Sequence, residues 1–136
     1  MSAASALQKA IFLRLSADAT LAALLGAKGI VDSRPNGPVE PLLVLAAIDS
    51  RDHSTATEEG EDHRVTLEIW SGAAGQRQAQ AIAAAARAAL HDATLPLAGH
   101  HLVFLLHRET RIRRDARSRF HRADMHFHAV TEPLAS

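Results

Sequence analysis

Nine histidines, fifteen basic and fifteen acidic side chains and no cysteine bound the chemistry open to this chain of 136 residues. His126 and His128 stand two apart on an alternating segment, which points both imidazoles to one face as metal ligands would stand. A zinc site needs three or four converging donors. His121 alternates onto the opposite face, and His100, His101 and His107 on the neighbouring segment are the only nearby source of a third ligand. The histidines are therefore read as solvent-face residues, with no metal and no other cofactor expected. Serine, threonine, histidine and aspartate are plentiful, yet none sits in a nucleophile frame such as Gly-x-Ser-x-Gly. Gly72 and Gly75 precede a helix but lack the lysine of a P-loop and the third glycine of a dinucleotide fingerprint, so they mark a strand-to-helix turn. Glu58, Glu59, Glu61 and Asp62 fall in an expected exposed loop, where nothing apolar would raise a carboxyl pKa for acid–base work. No catalytic residue emerges, and a metal-dependent enzyme is the remotest reading of the chain.

The arginines are more telling. Seven of them, at 108, 111, 113, 114, 117, 119 and 122, stand against only Glu109 and Asp115 in one short stretch. Guanidinium groups give bidentate, permanently charged contacts to carboxylate or phosphate. Phe120 is the only ring in the run apart from histidine, too little for stacking the bases of a single strand, while sequence-independent contact with duplex phosphates stays open. The acidic cluster at Glu58, Glu59, Glu61 and Asp62 complements the arginines, so a neutral molecule presents two opposite patches suited to head-to-tail association. Two solvated loops would show the same residues. Trp70, the sole tryptophan, either closes the sheet against a neighbouring element or anchors an interface.

These groups must be positioned by a small number of elements. Leu7, Ile11 and Leu15 predict a helix over about residues 4–15; a second, capped by Ser16, carries Leu21, Leu24 and Leu25 and stops at Gly26. Residues 29–32 suit a short strand, and the proline-rich stretch 34–41 a loop. Leu42 to Asp49 reads as a buried strand paired with Glu61 to Ser71, the two joined by a polar connection over 50–60. In the latter strand Val65, Leu67 and Ile69 take one face, Thr66 and Glu68 the other. Gln76 to Asp92 is the longest helix, with Ala79, Ile82, Ala83, Ala86 and Leu90 on one face. Leu102 to Leu106, extended through Ile112, forms a strand that leaves the core partway. A turn at 115–118 joins it to a last strand in which Ala123, Met125, Phe127 and Ala129 alternate with polar residues. The order gives a single α+β domain over residues 1–136: a mostly antiparallel sheet of four to five strands, a long alanine-rich helix and two short N-terminal helices.

At 47% apolar content the chain can fill one core. The lack of cysteine suits a reducing cytosol, no run reaches the roughly 18 apolar residues of a membrane span, and no signal peptide opens the sequence. A soluble, unexported protein is expected, with no membrane partner.

The assembled pattern resembles the tail-terminator, or tail-completion, proteins of long-tailed phages and gene transfer agents. Its carriers are the segments Leu7 to Ala19 and Leu21 to Gly26, the strand entry Pro41 to Val44, the central Glu61 to Ser71, the helix Ala79 to Leu90 and the close Phe127 to Glu132. The resemblance implies a virion structural protein that forms a ring, a hexamer, on the head-proximal end of the tail tube. Such a ring ends tube polymerisation and joins tail to neck. The implied partners are further copies of the chain, the tail tube protein, a neck or head–tail connector protein, and DNA passing through the lumen without sequence recognition. The implied location is the tail–neck junction of a phage-like particle, encoded by a phage, prophage or gene transfer agent and assembled in the bacterial cytoplasm. The alternative is a small adaptor or connector domain of the same particle. On the ring reading, subunits meet edge to edge and loops 50–60 and 110–119 project toward tube, neck or lumen. Arg111, Arg113, Arg114 and Arg117 are then the foremost contacts, beside Arg108, Trp70 and the acidic cluster.

Overall fold

The computed structural model describes residues 1–26, 28–33, 41–72, 76–117 and 119–134, and among these are three helices and five strands. Helix α1 (Ala3–Ser16) is capped by Ser2, whose side chain accepts from the Ser5 amide at 3.1 Å. It buries Ala3, Leu7, Ala10, Ile11 and Leu15, one face at helical spacing. Helix α2 (Ala19–Leu25) begins two residues later than Ser16 would have placed it. Ser16 is used up as the last residue of α1, and the Asp18 carboxylate caps α2 by accepting from the Leu21 amide at 2.9 Å. Gly26 closes α2 at φ +77°, a conformation only glycine takes without strain.

Strands β1 (Ile30–Val31), β2 (Leu42–Asp52), β3 (Glu61–Ser71), β4 (His100–Arg114) and β5 (His121–Pro133) form one sheet in the order β1-β2-β3-β5-β4. β1 runs parallel to β2, and every other pairing is antiparallel. Helix α3 (Arg77–Leu90) carries the chain from β3 to the far edge, where β4 forms, and β5 then folds back into the gap beside β3. The neighbour of β3 is thus the final strand and not the next one. Side-chain chemistry explains the choice: Ala123, Met125, Phe127 and Ala129 of β5 are all buried, as a central strand requires, while β4 is largely exposed and polar, as suits an edge.

All three helices pack on one face of the sheet. Ala79, Ala83 and Ala86 bring α3 close, and Ile82 and Leu90 reach into a core with Leu7, Ile11, Leu43, Leu67, Ile69, Met125 and Phe127. Both connections predicted as long loops are shorter than expected. β2 and β3 keep pairing out to Asp52 and Glu61, and β4 and β5 out to Arg114 and His121, because antiparallel partners bond each other's backbone groups up to the turn, with register shifts only at Ala46, Val103 and Arg108. The expected loop at 34–40 and the glycine turn at 73–75 lie outside the described residues.

Candidate interaction surfaces

Opposite the helices the sheet has an open face of charged and polar side chains in cross-strand rows. One row runs Asp49, Arg64, His128, Leu106; the next runs Ala47, Thr66, His126, Glu109. Further along come Val44, Glu68, Asp124, Arg111, then Leu42, Trp70, Arg122, Arg113. Like charges stand opposite each other at Glu68/Asp124 and at Arg113/Arg122, an arrangement that would destabilise the sheet if left alone. One diagonal and two same-strand contacts resolve it. Asp124 takes Arg113 at 3.3 Å and Arg122 at 3.1 Å, while Glu68 accepts from the Trp70 indole N–H at 3.2 Å. The Arg122 guanidinium also lies 5.3 Å from the centre of the Trp70 ring. Trp70 is 4% exposed and packs with Leu42, Val44, Val31 and Phe120 in a small apolar cluster on this face.

Two of the ten residues singled out from the sequence meet inside the subunit. His128 donates through Nε2 to Asp62 at 2.7 Å, which leaves Nδ1 to accept from Arg108 at 3.2 Å. That hydrogen bond holds the Asp62 carboxyl below the usual carboxylate range. Arg108 and Asp62 thus belong to a shallow cleft of about 510 Å³ in the middle of the open face, together with Arg64, Glu109 and His126.

The remaining charges separate to opposite ends of the sheet. Within the β2–β3 turn Glu58 and Glu59 are exposed, and Glu61 lies at the head of β3. Glu61 and Asp62 open β3, as the reading of Glu61 to Ser71 as a strand expects, and so lie outside the exposed loop expected to hold the whole acidic cluster. The connecting turn is tightly organised: the His53 amide donates to the Gly60 carbonyl at 2.9 Å, Thr55 to the Glu58 carbonyl at 2.7 Å, and Gly60 to Ser54 Oγ at 3.2 Å. At the other end, β4 and β5 form an arm carrying Arg111, Arg113, Arg114, Arg117 and Arg119, closed by the Asp115 amide on the Phe120 carbonyl at 2.7 Å. Arg119 takes φ +66° in that turn. Arg111, Arg114, Arg117 and Arg119 are exposed and form no ion pair among the described residues. The eleven residues of β3 put about 35 Å between the two ends at ~3.3 Å per residue.

The histidines are dispersed by the same alternation. His107 lies on the helix side, bonded to Thr110 at 2.6 Å and edge-on to Phe127, whereas His126 and His128 lie on the open side, so the sheet stands between them. Among the described residues no three metal-ligating side chains converge. His63, which sequence reasoning passed over, is fully buried; Ser50 Oγ meets its Nδ1 at 2.7 Å and Thr131 Oγ1 its Nε2 at 2.8 Å. Burial pushes its pKa down. No carboxylate orients the ring as a general base would need, since Glu61 is 4.0 Å away and the second nitrogen is taken by a hydroxyl. The trio ties β2, β3 and β5 together. Its signal in the sequence is His63 itself, placed on the apolar side of an alternating strand.

Among the described residues no helix is long and apolar enough to cross a membrane. Residues 9–132 match the family model described as tail completion protein gp17. A chain in a solved structure, the virion of a native gene transfer agent particle, superposes with a TM-score of 0.88 and 36% identity over 96% of this chain and 98% of that one. No curated protein sequence matches. A shared fold at such identity, spanning both chains nearly end to end, joins the family match over most of the sequence, and the chain therefore belongs to the tail completion protein gp17 family, as a structural component of a phage-like tail.

Proposed function

We propose that the protein forms a closed ring, a hexamer, on the head-proximal end of a tail tube, where it ends tube polymerisation and joins the tail to the neck. The observation that carries this reading is the separation of charge to the two ends of a neutral subunit, Glu58, Glu59 and Glu61 at one and the arginine arm at the other. A joint between unlike structures needs two unlike faces, and a ring of such subunits in one orientation has an acidic rim and a basic rim. Arg111, Arg114 and Arg117 are the arm's proposed contacts, with Glu58 and Glu59 at the opposite rim. Arg113 and Asp62 act inside the subunit, through Asp124 and His128. Trp70 holds Arg122 at the base of the arm. The role calls for no active site. DNA crosses the lumen without sequence recognition, and assembly takes place in the bacterial cytoplasm.

Light scattering across a concentration series, alone and with the cognate tail tube protein, tests the proposal. A discrete ring mass, free or only on tubes, together with tubes that stop growing at one end, is the expected result. A monomer that ignores tubes would overturn it and favour an adaptor domain of the same particle.

A further inference from the structure

The two lateral edges of the sheet are unlike, and only parts of them are open. On the β4 side, the loop after α3 covers the upper half: the Asp92 amide donates to the Leu105 carbonyl at 2.8 Å, and the His107 amide donates to His91 Nδ1 at 3.0 Å. Backbone groups at 105 and 107 that would otherwise invite another strand are thereby satisfied. Below them, among the described residues, nothing bonds the outer edge of the segment 109–114, which is the arginine arm. At the opposite edge, β1 covers β2 only at Leu43 and Val44. It is flanked by clefts of about 450 and 270 Å³, which share Ser5, Gln8 and Asp32; Phe12 and Ile30 line the larger one.

Three properties make these edges complementary. Their directions are opposite, because β1 runs with β2 and three antiparallel steps separate β2 from β4. A second copy set beside the first in the same orientation therefore presents β1 antiparallel to β4. Their heights agree: Val31, Val44, Glu68, Asp124 and Arg111 share one row, and Ile30, Leu43, Ile69, Ala123 and Ile112 share the next. Their chemistry agrees as well. Half-buried Ile112 lies on the helix side, level with Ile30 and the cleft beside Phe12, and the exposed Asp32 carboxylate offers a counter-charge to an arm whose Arg111 and Arg114 have none.

We infer that subunits join by main-chain strand addition, the outer edge of the β4 arm (109–114) of one copy pairing antiparallel with β1 (Ile30–Val31) of the next. The contact is heterologous, so each subunit keeps one free arm and one free β1 until the ring closes. It names the lateral interface of the ring proposed above and rests on that reading for closure alone. The arm then serves twice: its backbone edge bonds sideways, while its turn, with Arg117 and Arg119, stays free for the axial partner.

A chain without cysteine makes the test clean. Val31→Cys is combined in turn with Glu109→Cys, Arg111→Cys, Ile112→Cys and Arg113→Cys, and the assembled protein is oxidised and run under denaturing conditions. Directly opposed residues of antiparallel strands approach closely enough for a disulfide, and residues one step along point to the other face. The expected result is a ladder of covalent multimers from the Arg111→Cys pair, or from the pair two residues to either side. It should exceed the Ile112→Cys pair roughly tenfold, with no ladder from any single variant. Rings that assemble without a ladder from any Val31 pair would overturn the inference and leave the ring standing. So would a ladder from Glu58→Cys with Arg117→Cys, or a covalent dimer from Arg111→Cys alone that grows no further, which means two arms paired about a two-fold axis. A ladder in protein that never closes into rings would sink the ring and keep the strand addition.

Discussion

His63 concentrates much of what a single residue contributes here. It is buried, neutral and bonded on both ring nitrogens to hydroxyls from β2 and β5, so replacing it by alanine opens a cavity and strips Thr131 of its partner. The expected cost is about 1–3 kcal/mol, read from denaturant unfolding. Burial lowers the pKa of both His63 and His107 in the folded protein. Below the unfolded value near 6.5 the unfolded chain then binds more protons, so stability falls as the pH drops from about 6.5 toward the folded values. Melting temperatures between pH 8 and pH 5 should show this fall, and His63→Gln should flatten it; an unchanged slope would remove His63 from the account. The Asp62 pKa is lowered by His128, so its contribution is present above about 3.9 and is lost only as the pH falls through its folded value. Trp70 reports on the arm's base: Arg122→Ala removes the guanidinium 5.3 Å from its ring and the contacts to Asp115 and Asp124, which should cost about 1–2 kcal/mol and change the intrinsic fluorescence.

At the scale of elements, the arm and the acidic turn behave differently under charge reversal. Glutamate at Arg113 would set a third carboxylate against Asp124 and Glu68, damaging the arm before any partner is tested. Arg114→Glu with Arg117→Glu touches no ion pair among the described residues, so the double variant should keep its unfolding free energy within about 0.5 kcal/mol of wild type. Binding to tubes or neck should weaken at least tenfold and lose its salt dependence, measured by co-sedimentation at two ionic strengths. Unaltered binding would move the axial contact away from the arm. Central strand β5 answers to packing instead: Phe127→Ala, at 1% exposure, should cost roughly 3–5 kcal/mol, a large share of the roughly 5–15 kcal/mol that holds an ordinary domain, read from denaturant unfolding.

For the whole molecule, the proposed role rests on what one subunit presents among the described residues: two edges that run in opposite directions, two ends of opposite charge and one polar face. Local pattern alone determined a good deal of this. The alternation in β3 and β5, the alanine face of α3 and the stop at Gly26 are short-range matters of side-chain period and backbone freedom, so element types and the α+β class could be read from the sequence, as could the family resemblance. The charge clusters could be read too, but not their geometry. Arg108 and Asp62, 46 positions apart and assigned to opposite patches, meet through His128 because β3 and β5 are neighbours in space, and strand order depends on which faces the assembled core buries. Only the tertiary structure placed the acidic turn and the arginine arm at opposite ends, covered half of the β4 edge with the loop after α3 and left the other half without a bonding partner among the described residues. Pairing between distant strands is fixed by burial and backbone hydrogen bonds summed over the whole sheet, and no window of sequence contains that sum.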